Sequence, residues 1–328
     1  MPTQNAPQRL SGERSAAALQ VGGALTAQVG AAIGATAFPI AGSAPVVAIR
    51  QGFAAIAFLV IARPPVHRMR WRQLWPALVL AASLVLMNLS LYGAVERLGL
   101  GLAVTLEFLG PLGVALAASR RALDAVLAVA AFGGVVLLTG TVPGIDPLGV
   151  VLALLGALGW AGYIVFSQLA GRRLPGLQGS AIALTLASLC TLPILIAALL
   201  HLSGADALRL LGLGVCASIL STLIPNAIDM TVLRRMRREL FGVIQSAQPA
   251  LAALVGFVIL GQSLGAWQIA GLVLISGVNA VAVLLAGRSR GARAPEFVDP
   301  IEAAEDVLAL PDHRDPPTAP IPVGTADR

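Results

Sequence analysis

Between residues 18 and 286 the chain is a succession of apolar runs, each 18 to 25 residues long and separated by short polar breaks. Their bounds are 18–38, 45–62, 74–94, 100–118, 123–140, 147–170, 180–201, 208–232, 240–260 and 266–286, ten in all. At 1.5 Å per residue, about 20 helical residues cross a hydrocarbon core of about 30 Å. The runs are rich in Ala and Leu and lack two-residue alternation, which argues against barrel strands. Composition agrees: 57% of residues are hydrophobic, 12% are charged and the mean hydropathy is +0.85. A soluble domain carries about 25% charged residues. The expected fold class is all-α integral membrane, with ten transmembrane helices in a lipid bilayer.

The net charge of +6 does not indicate nucleic acid as a partner. The basic residues are all arginines, and they sit in short clusters between apolar runs rather than on one patch. Those clusters orient the chain instead. With the N-terminus in the cytoplasm, the inner side holds Arg9, Arg14, Arg63, Arg68, Arg70, Arg72, Arg120, Arg121, Arg172, Arg173, Arg234, Arg235, Arg237, Arg238, Arg288, Arg290 and Arg293. The outer loops hold Arg97 and Arg209. A split of 17 to two obeys the positive-inside rule and predicts both termini in the cytoplasm of an inner-membrane protein.

Cys190 and Cys216 lie inside apolar runs and read as small buried apolar residues, with no disulfide. The three histidines show no metal-ligand spacing, and CxxC and HExxH are absent from the sequence. Neither a metal nor a cofactor is expected. Ala35-Thr36-Ala37 resembles a signal-peptidase site. The run before it is longer than a signal peptide's apolar core of roughly 7–15 residues, so it reads as a retained span.

The organisation expected is an N-terminal cytoplasmic segment (1–17), a first set of five helices (18–140), a second set (147–287) and a cytoplasmic tail (288–328). From 294 onward the tail is rich in proline and acids and reads as disordered, with a short helix possible at 301–310. The fourth run holds Glu107-Phe-Leu-Gly-Pro111, and the ninth holds Gln245-Ser-Ala-Gln-Pro249. In each, a polar residue precedes a proline by four and a run of small apolar residues follows. The ninth run is the fourth of the second set. Five is odd, so the second set enters from the opposite side, and the two sets form an inverted repeat. Secondary transporters have this architecture, with a site near the midplane between the halves.

Proline lacks an N–H, so the carbonyl four residues back loses its donor. Here those carbonyls belong to Glu107 and Gln245. A free acceptor beside a polar side chain is costly against lipid and is tolerated where it lines a cavity or meets another helix. Ala103, Glu107, Gly110, Pro111 and Val114 fall on one helical face. An intramembrane carboxylate is expensive, so Glu107 reads first as cavity lining and second as a structural contact. For Gln245 the two readings stand level. Arg50 lies a few residues into the second run. It can snorkel to the outer interface, pair with an acid or meet a ligand carboxylate. Asp229 can pair with Arg234 at the inner interface or line a pathway. Asn88, Trp160, Tyr163 and Gln168 are further polar or aromatic candidates, although a lone Trp or Tyr is more often an interface anchor.

At these residues the chain resembles the drug/metabolite transporter superfamily, of EamA type. It is most similar to the threonine and homoserine exporter branch. "LAVTLEFLGPLGVALAASRR" (102–121) resembles that branch's fourth helix, and "MNLSLYGAVERLGLG" (87–101) the segment before it. "AIRQG" puts Arg50 on the family's second-helix arginine. "WAGYIVFSQLAG" matches through Trp160, Tyr163 and Gln168, and "STLIPNAIDM" matches with Asp229 at the branch's acid. "QPALAALVGFVILGQSL" resembles the ninth-helix ending. Gln262 stands where the family has a glutamate, and Gln248 stands where an acid is common. The resemblance spans roughly residues 20–287. It implies efflux of a small polar molecule, an amino acid such as threonine or homoserine, coupled to protons, by a monomer or a dimer. The rivals are a drug or other metabolite exporter of the same fold, an intramembrane enzyme, and a scramblase or structural membrane protein. An enzyme would need paired catalytic groups that the sequence lacks. A scramblase or structural role leaves Glu107 unexplained.

Overall fold

A chain this apolar satisfies its backbone polar groups within each segment, which selects helices. In the computed structural model, residues 6–69, 71–117, 122–139, 144–232, 235–236 and 238–289 are described, and their regular structure is entirely helical. In chain order the helices are α1 (Ala6–Ala35), α2 (Phe38–Ala41), α3 (Ser43–Ala62), α4 (Trp71–Leu98), α5 (Leu100–Glu107), α6 (Leu109–Ala117) and α7 (Ala122–Thr139). There follow α8 (Pro147–Arg173), α9 (Gln178–His201), α10 (Gly204–Ser218), α11 (Ile224–Val232), α12 (Arg238–Gln245), α13 (Gln248–Leu260) and α14 (Ala266–Ser289). A π-helical segment, Ile219–Leu223, joins α10 to α11. The tail from 294, with the possible helix at 301–310, lies outside the described residues.

Among the described residues each apolar run is helical over most of its length. Among the described residues, nine helical stretches are long and apolar enough to cross a membrane. The fifth run corresponds to an apolar helix, Leu123–Thr139, that is shorter. Several spans are interrupted near a proline. The break between α1 and α2 precedes Pro39, that between α5 and α6 precedes Pro111, and that between α12 and α13 precedes Pro249. The π segment runs up to Pro225. In each case the missing N–H releases the carbonyl four residues earlier, at Ala35, Glu107, Gln245 and Ser221 respectively. The single helical face expected for Ala103 through Val114 is therefore cut at Phe108, where α5 ends.

Glycine sets how close the spans lie. A Cβ on Gly159 of α8 would stand 2.5 Å from the backbone nitrogen of Met87 in α4. One on Gly30 of α1 would stand 2.5 Å from the nitrogen of Ser221. Small residues allow such approach between membrane helices. The principal pairings are α4 with α8, α3 with α9, α7 with α14, α5 with α13, and α1 with α10, the π segment and α11. The main apolar core gathers Leu100, Leu106, Phe108, Leu138 and Ile275. Large apolar side chains also face outward, among them Val129, Phe132, Leu200 and Val258. A water-facing surface would not carry so many, and lipid accounts for them.

One expectation changes here. Cys190 and Cys216 are free, but both are exposed on the outside of the helices rather than packed inside. A thiol is small and weakly polar, so a lipid-facing position suits it as well as a core. Ala35 and Ala37, in the signal-peptidase-like triplet, are buried in the packed core.

Candidate functional site

The broken helices surround a cavity of about 550 Å³. Of the nine residues singled out from sequence, seven line it: Arg50, Asn88, Glu107, Trp160, Tyr163, Asp229 and Gln245. They come from α3, α4, α5, α8, α11 and α12, and only the tertiary fold brings them together. Pro111 and Gln168 are not among the lining residues. Pro111 is half-buried in α6, one turn past Glu107, and contributes by releasing the Glu107 carbonyl. Gln168 is exposed on α8, because its helical position turns it away from the cavity.

Glu107 closes α5 and is 4% exposed. Its Oε1 is buried without a hydrogen-bond partner. Gly156 of α8 faces it, and a Cβ there would lie 3.6 Å from that oxygen. Beside it, the rings of Phe108 and Trp160 meet edge to face, with centroids 4.7 Å apart.

Arg50 is held from several sides. Its guanidinium donates to Asn88 Oδ1 and to Ser221 Oγ, the latter at 3.2 Å, and lies 4.5 Å from the centroid of the Tyr92 ring. Its carbonyl accepts from Ser218 Oγ at 2.8 Å. Asn88 is fixed in turn by donating to the Leu84 carbonyl at 2.8 Å. Arg50 Nε is buried and unpartnered. Among the described residues Arg50 makes no ion pair with Glu107 and does not snorkel outward. It lines the cavity with hydrogen-bonding capacity left over, which favours the ligand-facing alternative.

Asp229 accepts from Gln20 Nε2 at 2.8 Å. Arg234, the partner considered from sequence, lies outside the described residues. Sequence reading missed Gln20, Gln28, Gln51 and Tyr92. Gln28, Gln51 and Tyr92 line the cavity, and Gln20 reaches it through Asp229. Two amides eight residues apart in the otherwise apolar first run were the available signal. Gln262 has a local role: its Oε1 accepts from the Leu100 N–H at 2.8 Å and caps α5, a task a neutral amide performs without burying a charge. Among the described residues, no group of three or more His, Cys, Asp or Glu side chains is placed to hold a metal ion.

The cavity thus offers one guanidinium, two carboxylates, several amides and an aromatic wall. It can take a small molecule bearing both charges.

Comparison with known proteins matches residues 147–283 to the EamA-like transporter family. The threonine/homoserine exporter RhtA of Salmonella typhimurium is 34% identical over 254 residues, covering 76% of this chain and 84% of that protein. The threonine/homoserine exporter RhtA of Escherichia coli is 36% identical over 251 residues, covering 75% of this chain and 83% of that protein.

Proposed function

The chain belongs to the EamA-like transporter family, and from that premise we propose that it exports a small amino acid such as threonine or homoserine, driven by protons. It is a multi-pass membrane transporter and not an enzyme. The relatives' substrates motivate the choice of amino acid. One observation carries the reading: Arg50 and Glu107 line the same cavity without pairing with each other. A zwitterion needs that combination, an unneutralised cation for its carboxylate and a carboxylate for its ammonium group. Proton coupling follows from charge balance. If Glu107 takes a proton as the substrate ammonium leaves, its carboxylate faces either an ammonium group or its own proton at each stage of the cycle. No uncompensated carboxylate then stays at membrane depth.

The architecture proposed is ten spans in two inverted sets of five. Two features support it. The Glu107–Pro111 and Gln245–Pro249 breaks occupy matching places in the two sets. Helix pairing is also symmetric when each span is exchanged for the one five places on: α4 with α8 mirrors α10–α11 with α1, while α3 with α9 and α7 with α14 map onto themselves. With both termini inside, Leu177, Asp229 and Met230 are toward the inner ends and Tyr92 is toward the outer. The cavity reaches all four.

The test is export from cells overproducing the protein, measured for threonine and homoserine at several external pH values, in wild type and Glu107→Gln at matched expression. Glu107→Gln should abolish gradient-driven export, since it mimics the protonated form and can neither release a proton nor pair with the substrate ammonium. Wild-type export with unchanged pH dependence in the variant would return Glu107 to a structural role. Export of drugs but of neither amino acid would support the rival exporter reading.

A further inference from the structure

A chain of side-chain amides runs along the cavity wall, crossing between elements of the two halves. Gln20 Nε2 donates to Asp229 Oδ1 at 2.8 Å and to Gln245 Oε1 at 3.4 Å. Gln248 Nε2 donates to the same Gln245 oxygen at 2.8 Å. Gln28 Nε2 donates to Gln248 Oε1 at 3.1 Å. Gln20 is 1% exposed, and its own Oε1 is buried with no partner. Asp229, Gln245, Gln248 and Gln28 line the cavity.

The sense of these bonds is set at one end. An ionised carboxylate only accepts, so Gln20 must turn its N–H groups toward Asp229. The second N–H falls on Gln245, which must therefore present its oxygen. Gln248 must then donate to Gln245, and its oxygen is left to accept from Gln28. The charge on Asp229 thereby determines which end of Gln28, at the far end of the chain, is engaged with Gln248. A protonated Asp229 has an O–H to donate and needs an acceptor. The orphaned Oε1 of Gln20 is that acceptor, after a half-turn of the amide. The half-turn withdraws the N–H from Gln245 and puts oxygen against oxygen, which the downstream amides relieve by turning as well.

We propose that Asp229 is a second proton-exchanging group of the cavity and that the Gln20–Gln245–Gln248–Gln28 chain reverses its hydrogen-bond sense when Asp229 changes charge. Gln20 is the positioning residue. The step is a single proton transfer: an O–H bond of a hydronium ion in the cavity breaks and leaves water, an O–H bond forms on Asp229, and no other covalent bond changes. With Asp229 ionised, Gln28 spends its N–H on Gln248 and keeps its oxygen for a substrate ammonium. With Asp229 neutral, Gln28 spends its oxygen and keeps its N–H, which repels an ammonium. Proton uptake at Asp229 then acts on a cation about 12 Å along α1, the rise from residue 20 to residue 28. The consequence for transport rests on the proton-coupled reading above, but the switch itself does not.

Other ionisable groups near Asp229 are few. Tyr163 of α8 interacts with it electrostatically, and Arg50 and Glu107 share the cavity. Arg235 lines a neighbouring small pocket with Met230. Between Ser15 and Ala35, α1 carries no titratable side chain, and from Ile219 to Val232 Asp229 is the sole one. Asp206 and Arg209 sit at the far end of α10, where Asp206 is held by Ser203.

The decisive experiment is infrared difference spectroscopy of the full chain in lipid nanodiscs on acidification, which needs no substrate. Wild type should gain a carboxylic C=O band together with a shift of the glutamine amide bands. Asp229→Asn should lose one component of the carboxylic band and the amide shift with it. Glu107→Gln should lose a different carboxylic component and keep the amide shift. The near-isosteric Gln20→Met should keep the Asp229 band and lose the amide shift, and its pH profile for substrate exchange should move. Gln248→Met, which spares the Gln20–Asp229 bond, should lose only part of the amide shift. An amide shift that survives in Asp229→Asn, or a Gln20→Met spectrum and pH profile identical to wild type, would overturn the proposal. A wild-type protein that exports neither threonine nor homoserine would defeat the amino-acid reading and leave these spectra to decide this one.

Discussion

Gly110 lies against the backbone of Ala157 so closely that a Cβ on it would stand 2.2 Å from the Ala157 carbonyl oxygen. This contact seats the helix after Glu107 against α8. A backbone oxygen cannot swing aside as a flexible side chain can. Gly110→Ala should therefore push α6 away from α8 and displace Glu107 from its place beside Gly156. Overpacking of this kind costs roughly 1–3 kcal/mol, and more where the neighbour cannot yield. The expected outcome is a lower unfolding temperature and loss of export in the inserted fraction. Gly113, which has open space around it, is the control, and Gly113→Ala should leave both unchanged.

Arg50 combines two hydrogen bonds with a position over the Tyr92 ring. A lysine keeps the charge but cannot fork to Asn88 and Ser221 while covering the ring. The ring contact alone is worth about 0.5–2 kcal/mol, and 1.36 kcal/mol is about tenfold in rate. Arg50→Lys should lower export by roughly tenfold or more at matched expression, and Tyr92→Leu by less. Radiolabelled efflux from preloaded cells is the check. Equal activity of Arg50→Lys and wild type would show that only the charge matters.

Arg97 and Asp146 form an ion pair of 2.7 Å between the end of α4 and the start of α8, where Asp146 also caps α8 through the Leu148 N–H. The hydrogen bond from Arg97 holds the Asp146 carboxyl below its usual range. For a lowered pKa, the stabilisation is present above the unfolded value of about 3.9 and is lost as pH falls through the lower folded value. The pair should thus survive mild acidification. Both groups are substantially exposed, so screening keeps the effect small. Arg97→Ala should lower the unfolding temperature slightly at neutral pH, with the difference from wild type vanishing only in strong acid. A difference that grows on acidification would contradict the assignment.

The proposed arrangement of two inverted sets with both termini inside would put residue 144 outside and residue 176 inside. Reporter fusions at Gly144 and Gly176 should report opposite sides of the membrane. Both positions have positive φ in turns, so insertion there breaks no helix. Fusions reporting the same side would sink the ten-span reading and the inverted repeat together.

The amino-acid sequence alone determined the class of molecule and its candidate residues. Apolar runs of spanning length require helices, because lipid offers no partner for the backbone. A carboxylate or a guanidinium inside such a run is conspicuous for the same reason, and Glu107, Arg50 and Asp229 were legible at once. The prolines four residues after Glu107 and Gln245 announced the freed carbonyls, since the missing N–H is a local fact, whereas the helix breaks beside them came only with the fold. Only the tertiary structure decided who meets whom. Arg50 turned to Asn88, Ser221 and Tyr92 rather than to Glu107, and Gln168 turned to the outside of the bundle although it sits on the same helix as Trp160 and Tyr163. Gln20 and Gln28 looked like ordinary residues of a first span until folding set them against Asp229 and Gln248, more than two hundred residues away. Burial in a membrane follows from hydropathy, which is additive along the chain. Hydrogen-bond partnership depends on distances of about 3 Å between helices that share no sequence neighbourhood, and those exist only once the bundle has closed.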